Sequence, residues 1–371
     1  MLKSNRTIYS FGCWNNKITQ DDNNDFIYLK FVINKLNDDI NSNIFSNKQL
    51  IILGDNYYVS NKTKNDKNKI KTKNASVKDM INGFNILDEI KIQKKIIMGN
   101  HDTEYYSTFD NESLISEDKY SAILLKQLEL NNSNLNMYPT FKVETFDDQY
   151  LFMYIDTTLY EDRIDCRKYL YPDYNYDLEI NKQNNLIIQN IIQNIDKKIF
   201  IFGHHPLMYF KYGKKISIDK LVVKEDIKLD ILNLFCNLDE SYDKLDINYI
   251  CADYHIFEYG LIHLPNNIII HQHIYGTGGT VLDELFSDDN YNKYMIYHFD
   301  DNKINYQDDN ILPDKYNNII YKSIFRSSNH GFGKISLDPD SYSFNFHSIN
   351  SFNILNYCNS STRFAHLHIP Y

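Results

Sequence analysis

The sequence predicts an α/β fold built as one domain over residues 1–371. Two patterns predict it. Short apolar, β-rich runs alternate with stretches whose apolar residues recur every three or four positions, the strand and helix alternation of βαβ units. Four of the apolar runs end in glycine or alanine followed by Asp, Asn or His, and open α/β sheets bind their ligands at the carboxyl ends of their strands.

The elements follow in chain order. The first strand is Thr7 to Phe11, and Phe26, Leu29, Ile33 and Leu36 share one face of the helix after it. The second strand is Gln49 to Leu53, with Ile81, Phe84, Leu87 and Ile90 on the next helix. Further strands are expected at Lys95 to Met98, Tyr150 to Ile155, Lys198 to Phe202, Asn248 to Cys251 and Asn267 to His271. A long amphipathic helix with Ile187, Ile191 and Ile195 precedes the Lys198 strand. The tail from Gly331, GFGKISLDPDSYSFNFHS, reads as a hairpin turning at Asp338-Pro339-Asp340.

Two segments read as surface insertions, 61–76 and 211–226. The first begins NKTKNDKNKIKTKN and holds six lysines, a like-charge block of the kind that forms a solvated mobile loop. The second starts basic and carries the apolar run Leu221-Val222-Val223.

The net charge of −10 argues against a nucleic-acid footprint. The amino terminus, MLKSNRTIYSFG, lacks the apolar core of a signal peptide, and no stretch approaches the ~18 apolar residues of a membrane span. The expectation is a cytoplasmic protein that engages neither nucleic acid nor membrane. Cys13, Cys166, Cys236, Cys251 and Cys358 are odd in number and scattered, with no CxxC pair, which predicts free thiols in a reducing compartment.

The chemistry is concentrated at the strand ends. QLIIL runs into Gly54-Asp55-Asn56-Tyr57-Tyr58, and KIIM into Gly99-Asn100-His101-Asp102. KIFIF runs into Gly203-His204-His205-Pro206, and NYIC into Ala252-Asp253-Tyr254-His255. Any one of these alone reads as a turn, a helix cap or a packed histidine. Four of them at one sheet edge bring together the oxygen donors and imidazoles that a pair of metal ions requires.

GDNYY, GNHD, GHHP, the later GTGG at Gly276 to Gly279 and HGFG at His330 to Gly333 resemble the calcineurin-like metallophosphoesterases, most of all the purple acid phosphatase branch. The resemblance runs in order along nearly the whole chain. It implies a four-layer αββα sandwich of two mixed β-sheets flanked by helices. It further implies two divalent or trivalent metal ions, Fe, Zn or Mn, and hydrolysis of phosphate monoesters by a metal-bridging hydroxide. The partner would be a phosphorylated small molecule or a phosphoprotein.

Carried over residue by residue, Asp55 would bridge the metals, Tyr58 would bind the first as a phenolate, and Asn100 and His204 would bind the second. His101 would be the general acid, with Asp102 orienting it or an adjoining loop, and His205 would face the substrate. Asp156 in YIDTT reads as structural. His263, His271 and His273 are expected near the metal edge, where His271 or His273 has a structural role sooner than a substrate contact.

Two positions depart from the pattern. Where the family has Gly-Asp-Trp-Gly, with the aspartate on the first metal, this chain has Gly12-Cys13-Trp14-Asn15. Where the family has Gly-His-Asp-His, it has Ala252-Asp253-Tyr254-His255, so that Asp253 stands for an imidazole and His255 keeps the last ligand position. Aspartate for histidine exchanges one acceptable ligand for another; cysteine for aspartate exchanges a hard donor for a soft thiolate. Cys13 thus has two readings. It is a metal ligand in an altered first site, or it is a small buried residue beside a lost one, in a catalytically weak or inactive binding or scaffold protein.

Overall fold

The computed structural model describes residues 5–17, 26–42, 46–58, 61–64, 71–104, 108–109, 122–161, 167, 173–213, 218–222, 225–239, 242, 244–283, 294–300, 303–306, 318–339, 341–349 and 355–359. Its first strands are β1 (Arg6–Phe11), β2 (Asn47–Ile52), β3 (Asn61–Lys64), β4 (Lys71–Ala75), β5 (Gln93–Ile97), β6 (Thr108–Phe109) and β7 (Leu135–Tyr138). Next come β8 (Lys142–Phe146), β9 (Tyr150–Tyr154), β10 (Lys198–Phe202), β11 (Tyr209–Gly213), β12 (Ile218–Val222), β13 (Asp246–Cys251), β14 (Phe257–His263) and β15 (Ile269–Tyr275). The last are β16 (Tyr294–Asp300), β17 (Lys303–Tyr306), β18 (Asn318–Ser327), β19 (Gly331–Leu337), β20 (Tyr342–Ser348) and β21 (Leu355–Asn359). The helices are α1 (Ile27–Ser42), α2 (Val77–Leu87), α3 (Ala122–Glu129), α4 (Tyr176–Gln193) and α5 (Glu225–Cys236).

Two mixed sheets carry the fold. One has the order β21-β20-β19-β1-β2-β5-β7, and the other β17-β16-β18-β14-β15-β13-β10-β9-β8. Each has a parallel centre, β1, β2, β5 and β7 in the first and β9, β10, β13 and β15 in the second. Both faces of these strands are covered, which is why they read as continuous apolar runs.

The period-2 alternation of side chains sorts the strand residues into layers. Ile8, Ile51 and Ile97 of the first sheet meet Phe152, Phe200, Phe202 and Ile250 of the second in a core between the sheets. Tyr9, Leu50, Ile52 and Ile96 face outward onto Leu29, Val32, Ile33 and Leu36 of α1 and Met80, Phe84 and Leu87 of α2. Ile199, Ile201, Ile247 and Tyr249 face the other way, onto Ile187 and Ile191 of α4 and Ile231 and Phe235 of α5. The result is the expected helix, sheet, sheet, helix sandwich.

Several expected elements shift. Ile195 lies beyond the end of α4 and is 43% exposed, because Asn194 caps the helix through Ile191 O. The strand expected at Asn267 to His271 starts at Ile269 and continues to Tyr275. The tail hairpin forms, with β19 antiparallel to β20 and Asp338 N donating to Ser341 O at 2.8 Å; Asp340 lies outside the described residues.

The lysine-rich segment is not simply a loop. Asn61 to Lys64 pairs antiparallel with Lys71 to Asn74, and β4 continues parallel to β6. The alternation of Lys with Thr and Asn has the period of a strand, which the charge of the segment masked. The second insertion also contains a hairpin, β11 with β12, and runs into α5 at Glu225. Among the described residues no helix is long and apolar enough to cross a membrane.

Candidate metal centre

The carboxyl ends of β1, β2 and β5 from one sheet meet those of β10 and β13 from the other. Glycines allow the approach. A Cβ on Gly99 would lie 2.2 Å from Asp55 N and 2.8 Å from His204 Cε1, and Gly54, at φ +85°, faces Gly99 N in the same way. Three non-glycine residues at these strand ends are also left-handed: Cys13 at φ 54°, Asp55 at φ 53° and Asp253 at φ 51°.

Asp55 is at the middle, 1% exposed. Its Oδ1 accepts from His101 N at 3.0 Å and stands 3.2 Å from His204 Nε2. Its Oδ2 accepts from the Tyr58 hydroxyl at 2.5 Å and the Cys13 thiol at 3.8 Å. The Tyr58 oxygen is in turn 3.1 Å from His255 Nε2. His204 Nε2 also stands 3.1 Å from Asn100 Oδ1 and 3.8 Å from Asp253 Oδ1.

The imidazoles are aimed by backbone carbonyls. His204 Nδ1 contacts Leu53 O at 2.6 Å and His255 Nδ1 contacts Val281 O at 3.0 Å, which turns both Nε2 atoms inward. A hydrogen bond of this kind on the far nitrogen is how metal-binding histidines are oriented. Cys13 is held by its amide to Gly54 O and by Thr280 N on its own carbonyl, both at 3.1 Å.

The electrostatics suit a cation. Burial alone would raise the Asp55 carboxyl, but the charges of His204 and His101, with hydrogen bonds from His204 and Tyr58, hold it well below the carboxylate range. Burial alone would lower His204, and the Asp55 charge outweighs this and pushes it up to about 9. Burial and the Asp55 charge push the Cys13 thiol and the Tyr58 hydroxyl up. Three oxygens around His204 Nε2, and a carboxylate, a phenol, a thiol and an imidazole around Asp55 Oδ2, are two donor sets that metal ions fit. Cys13, Asp55 and His255 form one group of potential ligand atoms within 4.8 Å of one another, and His204, His205 and Asp253 form a second.

All the residues expected at the metals lie at this edge, but the surroundings of two, His101 and His205, differ from expectation. Of the two roles expected for Asp102, orienting His101 or an adjoining loop, it has the second. It accepts from Asn56 N, Asn56 Nδ2, Gly99 N and Gln127 Nε2 and so holds the adjoining loops together. The carboxylate beside His101 is Glu104, 3.1 Å from Nδ1. His205 does not face an opening: it is fully buried, with Nδ1 2.8 Å from Thr157 Oγ1 and Nε2 3.1 Å from Glu161 Oε1.

His263 and His271 lie at the opposite end of the second sheet, and His273 packs between the sheets 3.8 Å from the Phe344 ring. They missed the edge because β14 runs antiparallel and β15 extends to Tyr275. Asp156 caps the turn after β9 through Thr158 N and pairs with Arg167, a structural role. Trp14 Nε1 donates to Asn56 Oδ1 at 3.0 Å, so the tryptophan beside Cys13 fixes the loop that carries Asp55.

Sequence reasoning missed Glu104, Glu161 and Asp283, the last of which accepts from His255 N at 3.2 Å. Only Glu104 had a local signal, its position three residues after His101. The open side of the site is marked by His101 and His255, whose side chains are each 24% exposed.

No protein-family model matches this chain, and no curated protein matches it. Solved structures do. GAP50, the anchor in the inner membrane complex of Plasmodium, superposes with a TM-score of 0.53 at 14% identity over 95% of this chain and 89% of its own. PhoD superposes with a TM-score of 0.50 at 11% identity over 95% of this chain and 68% of its own. At such identities the likeness speaks for architecture alone, and on that evidence the chain has the metallophosphoesterase-like fold.

Proposed function

We infer that the protein is a metal-dependent phosphoesterase acting on phosphate monoesters of a small molecule or a phosphoprotein. One observation carries the reading. The side chains at five strand ends divide around the two oxygens of Asp55, with the partly exposed His101 4.6 Å from Tyr58, ring to ring. Asp55, Cys13, Tyr58 and His255 would hold one cation, and Asp55, Asn100, His204 and Asp253 the other. Bound there, two cations supply an activated water at neutral pH and offset the charge of a phosphate.

The chain's own groups do the rest. His101, tethered at Nδ1 by Glu104, leaves Nε2 to donate a proton to the departing alkoxide, a contribution of typically ~100- to 10,000-fold. The His101 amide fixes Asp55 Oδ1 and so ties the acid to the carboxylate that would serve both cations.

Release of phosphate from an aryl phosphate, with Zn, Fe, Mn or Co added to the protein, tests the reading. The wild-type rate should exceed that of His101→Ala by at least ~100-fold at equal metal content. No turnover above that variant overturns the enzymatic reading. A second reading, a non-catalytic scaffold of this fold, is favoured by the fully buried Cys13 thiol where a metal-binding aspartate is expected. The structural neighbour GAP50 is described as an anchor. Metal analysis separates the two: two equivalents per chain support the enzyme, and none or one the scaffold.

A further inference from the structure

The donors around Asp55 do not form two equal sets. On the Oδ2 side are one sulfur, from Cys13 at 3.8 Å, the Tyr58 oxygen at 2.5 Å, and the His255 nitrogen that meets Tyr58 at 3.1 Å. On the Oδ1 side His204 Nε2 stands at 3.2 Å, with a nitrogen of the buried His205 within 4.8 Å of the His204 and Asp253 ligand atoms but held by Thr157 and Glu161. The companions of His204 Nε2 there are the oxygens of Asn100 and Asp253, at 3.1 and 3.8 Å from it.

The donor types suit different ions. In a tetrahedral zinc site, bonds of about 2.3 Å to sulfur and about 2.0 Å to oxygen or nitrogen place S and O about 3.5 Å apart, and O and N about 3.3 Å apart. The Cys13 to Asp55 and Tyr58 to His255 separations, 3.8 and 3.1 Å, lie on either side of these values, while the 2.5 Å hydrogen bond from Tyr58 to Asp55 would have to open as a cation took the place of its proton. A soft thiolate selects zinc, whereas carboxylate and carbonyl oxygens suit harder ions such as manganese. Cys13 is held in this place against an unfavourable φ of 54° by the hydrogen bonds on both its backbone polar groups.

The geometry points to two unlike sites: a tight, thiolate-bearing zinc site at Cys13, Asp55, Tyr58 and His255, and an exchangeable oxygen-rich site at Asp55, Asn100, His204 and Asp253 for a harder divalent ion such as Mn2+. This rests on the metal centre of the proposed function and adds the identity and order of its ions. The protein would hold zinc through purification and respond to added manganese.

Cobalt titration of the chelator-treated full-length protein tests it. A thiolate-to-cobalt charge-transfer band should grow to one equivalent, vanish on adding stoichiometric Zn2+, and survive a large excess of Mn2+. Cys13→Ala should lose the band while still binding one Mn2+ by electron paramagnetic resonance. Cys13→Asp should bind two cations without the band, its zinc affinity falling by more than the ~10- to 100-fold that loss of a supporting hydrogen bond costs. Two bound cobalt ions without a thiolate band, or a band that Mn2+ removes as readily as Zn2+, overturns the unlike sites while leaving a phosphoesterase intact. Failure to bind any cation overturns both.

Discussion

Asp102→Asn tests whether one buried carboxylate holds the two loops that carry Asp55 and Asn100. Asp102 Oδ1 accepts from Asn56 N at 2.8 Å and Gln127 Nε2 at 3.1 Å, and Oδ2 from Gly99 N at 2.7 Å and Asn56 Nδ2 at 2.9 Å. Burial and the neighbouring Asp55 charge push its carboxyl up to about 7, against these four donors, which favour the ionised form. An amide keeps one oxygen and sets an NH2 where the other stood, so two donors lose their acceptor. Each buried donor left unsatisfied costs about 1–3 kcal/mol, or about 2–6 kcal/mol for the pair. With an unfolding entropy of about 2.1 cal/mol/K per residue, 371 residues give about 0.8 kcal/mol/K, so melting should fall by about 3–8 °C. Calorimetry reads this shift directly. Cation binding should weaken alongside by ~10- to 100-fold, because the loops that present Asp55 and Asn100 lose their common brace. A variant that melts within about 1 °C of the parent and binds metal equally well refutes the reasoning.

Other substitutions probe separate parts of the molecule. Glu104→Gln weakens the hold on His101 and should lower kcat for poor leaving groups by about 10-fold, with metal content and KM unchanged; equal loss for good leaving groups counts against a proton-transfer role. Gly99→Ala would set a methyl 2.2 Å from Asp55 N and 2.4 Å from Asp55 Oδ1, atoms that cannot move aside. It should lower stability by about 1–3 kcal/mol or more in urea unfolding and abolish binding of both cations, and full cation binding would show the crossing is looser than it looks. Burial holds the His347 imidazole down to about 4, against the pull of Asp39 at 3.8 Å. Since the folded value lies below the unfolded value of about 6.5, its contribution is complete above that pH and is lost as pH falls toward 4. His347→Phe should therefore flatten the stability profile between those values by up to about 3 kcal/mol, and an unchanged slope in urea unfolding excludes His347 as its source.

Much of the architecture was legible because the central strands are covered on both faces. QLIIL and KIFIF are apolar at every position after the first and stop at a glycine, so strand and site edge were marked together. The peripheral strands were less legible. In β8, KVETF, no residue is fully buried, and in β3 and β4 lysine occupies alternate positions. At the site, the glycine turns that carry the candidate ligands were readable as words in the sequence, whereas their supports were not. Glu161 reaches His205, and Gln127 reaches Asp102, from outside the turns they support. Such pairings depend on where helices and turns dock, which local pattern does not encode. For Asp102 the sequence left two roles open, orienting His101 or an adjoining loop, and only the docked turns decide between them: the carboxylate points inward to Asn56 and Gln127.

The left-handed turns at Cys13, Asp55 and Asp253 bear most directly on why this chain has a cysteine at its first strand end. Asp enters that backbone region with little penalty because its short side chain bonds locally; cysteine has no such help. The backbone at residue 13 therefore favours the aspartate that the resemblance leads one to expect, and conformational preference does not account for the thiol. Charge does offer an account. A neutral thiol can stand 3.8 Å from Asp55 Oδ2 without repulsion, whereas a second carboxylate there would need a cation between them. Cysteine thus lets Cys13, Asp55 and Tyr58 pack together with no cation between them, and under the proposed zinc site it would still offer a thiolate to the ion. Aspartate would make the fold at this edge depend on the metal.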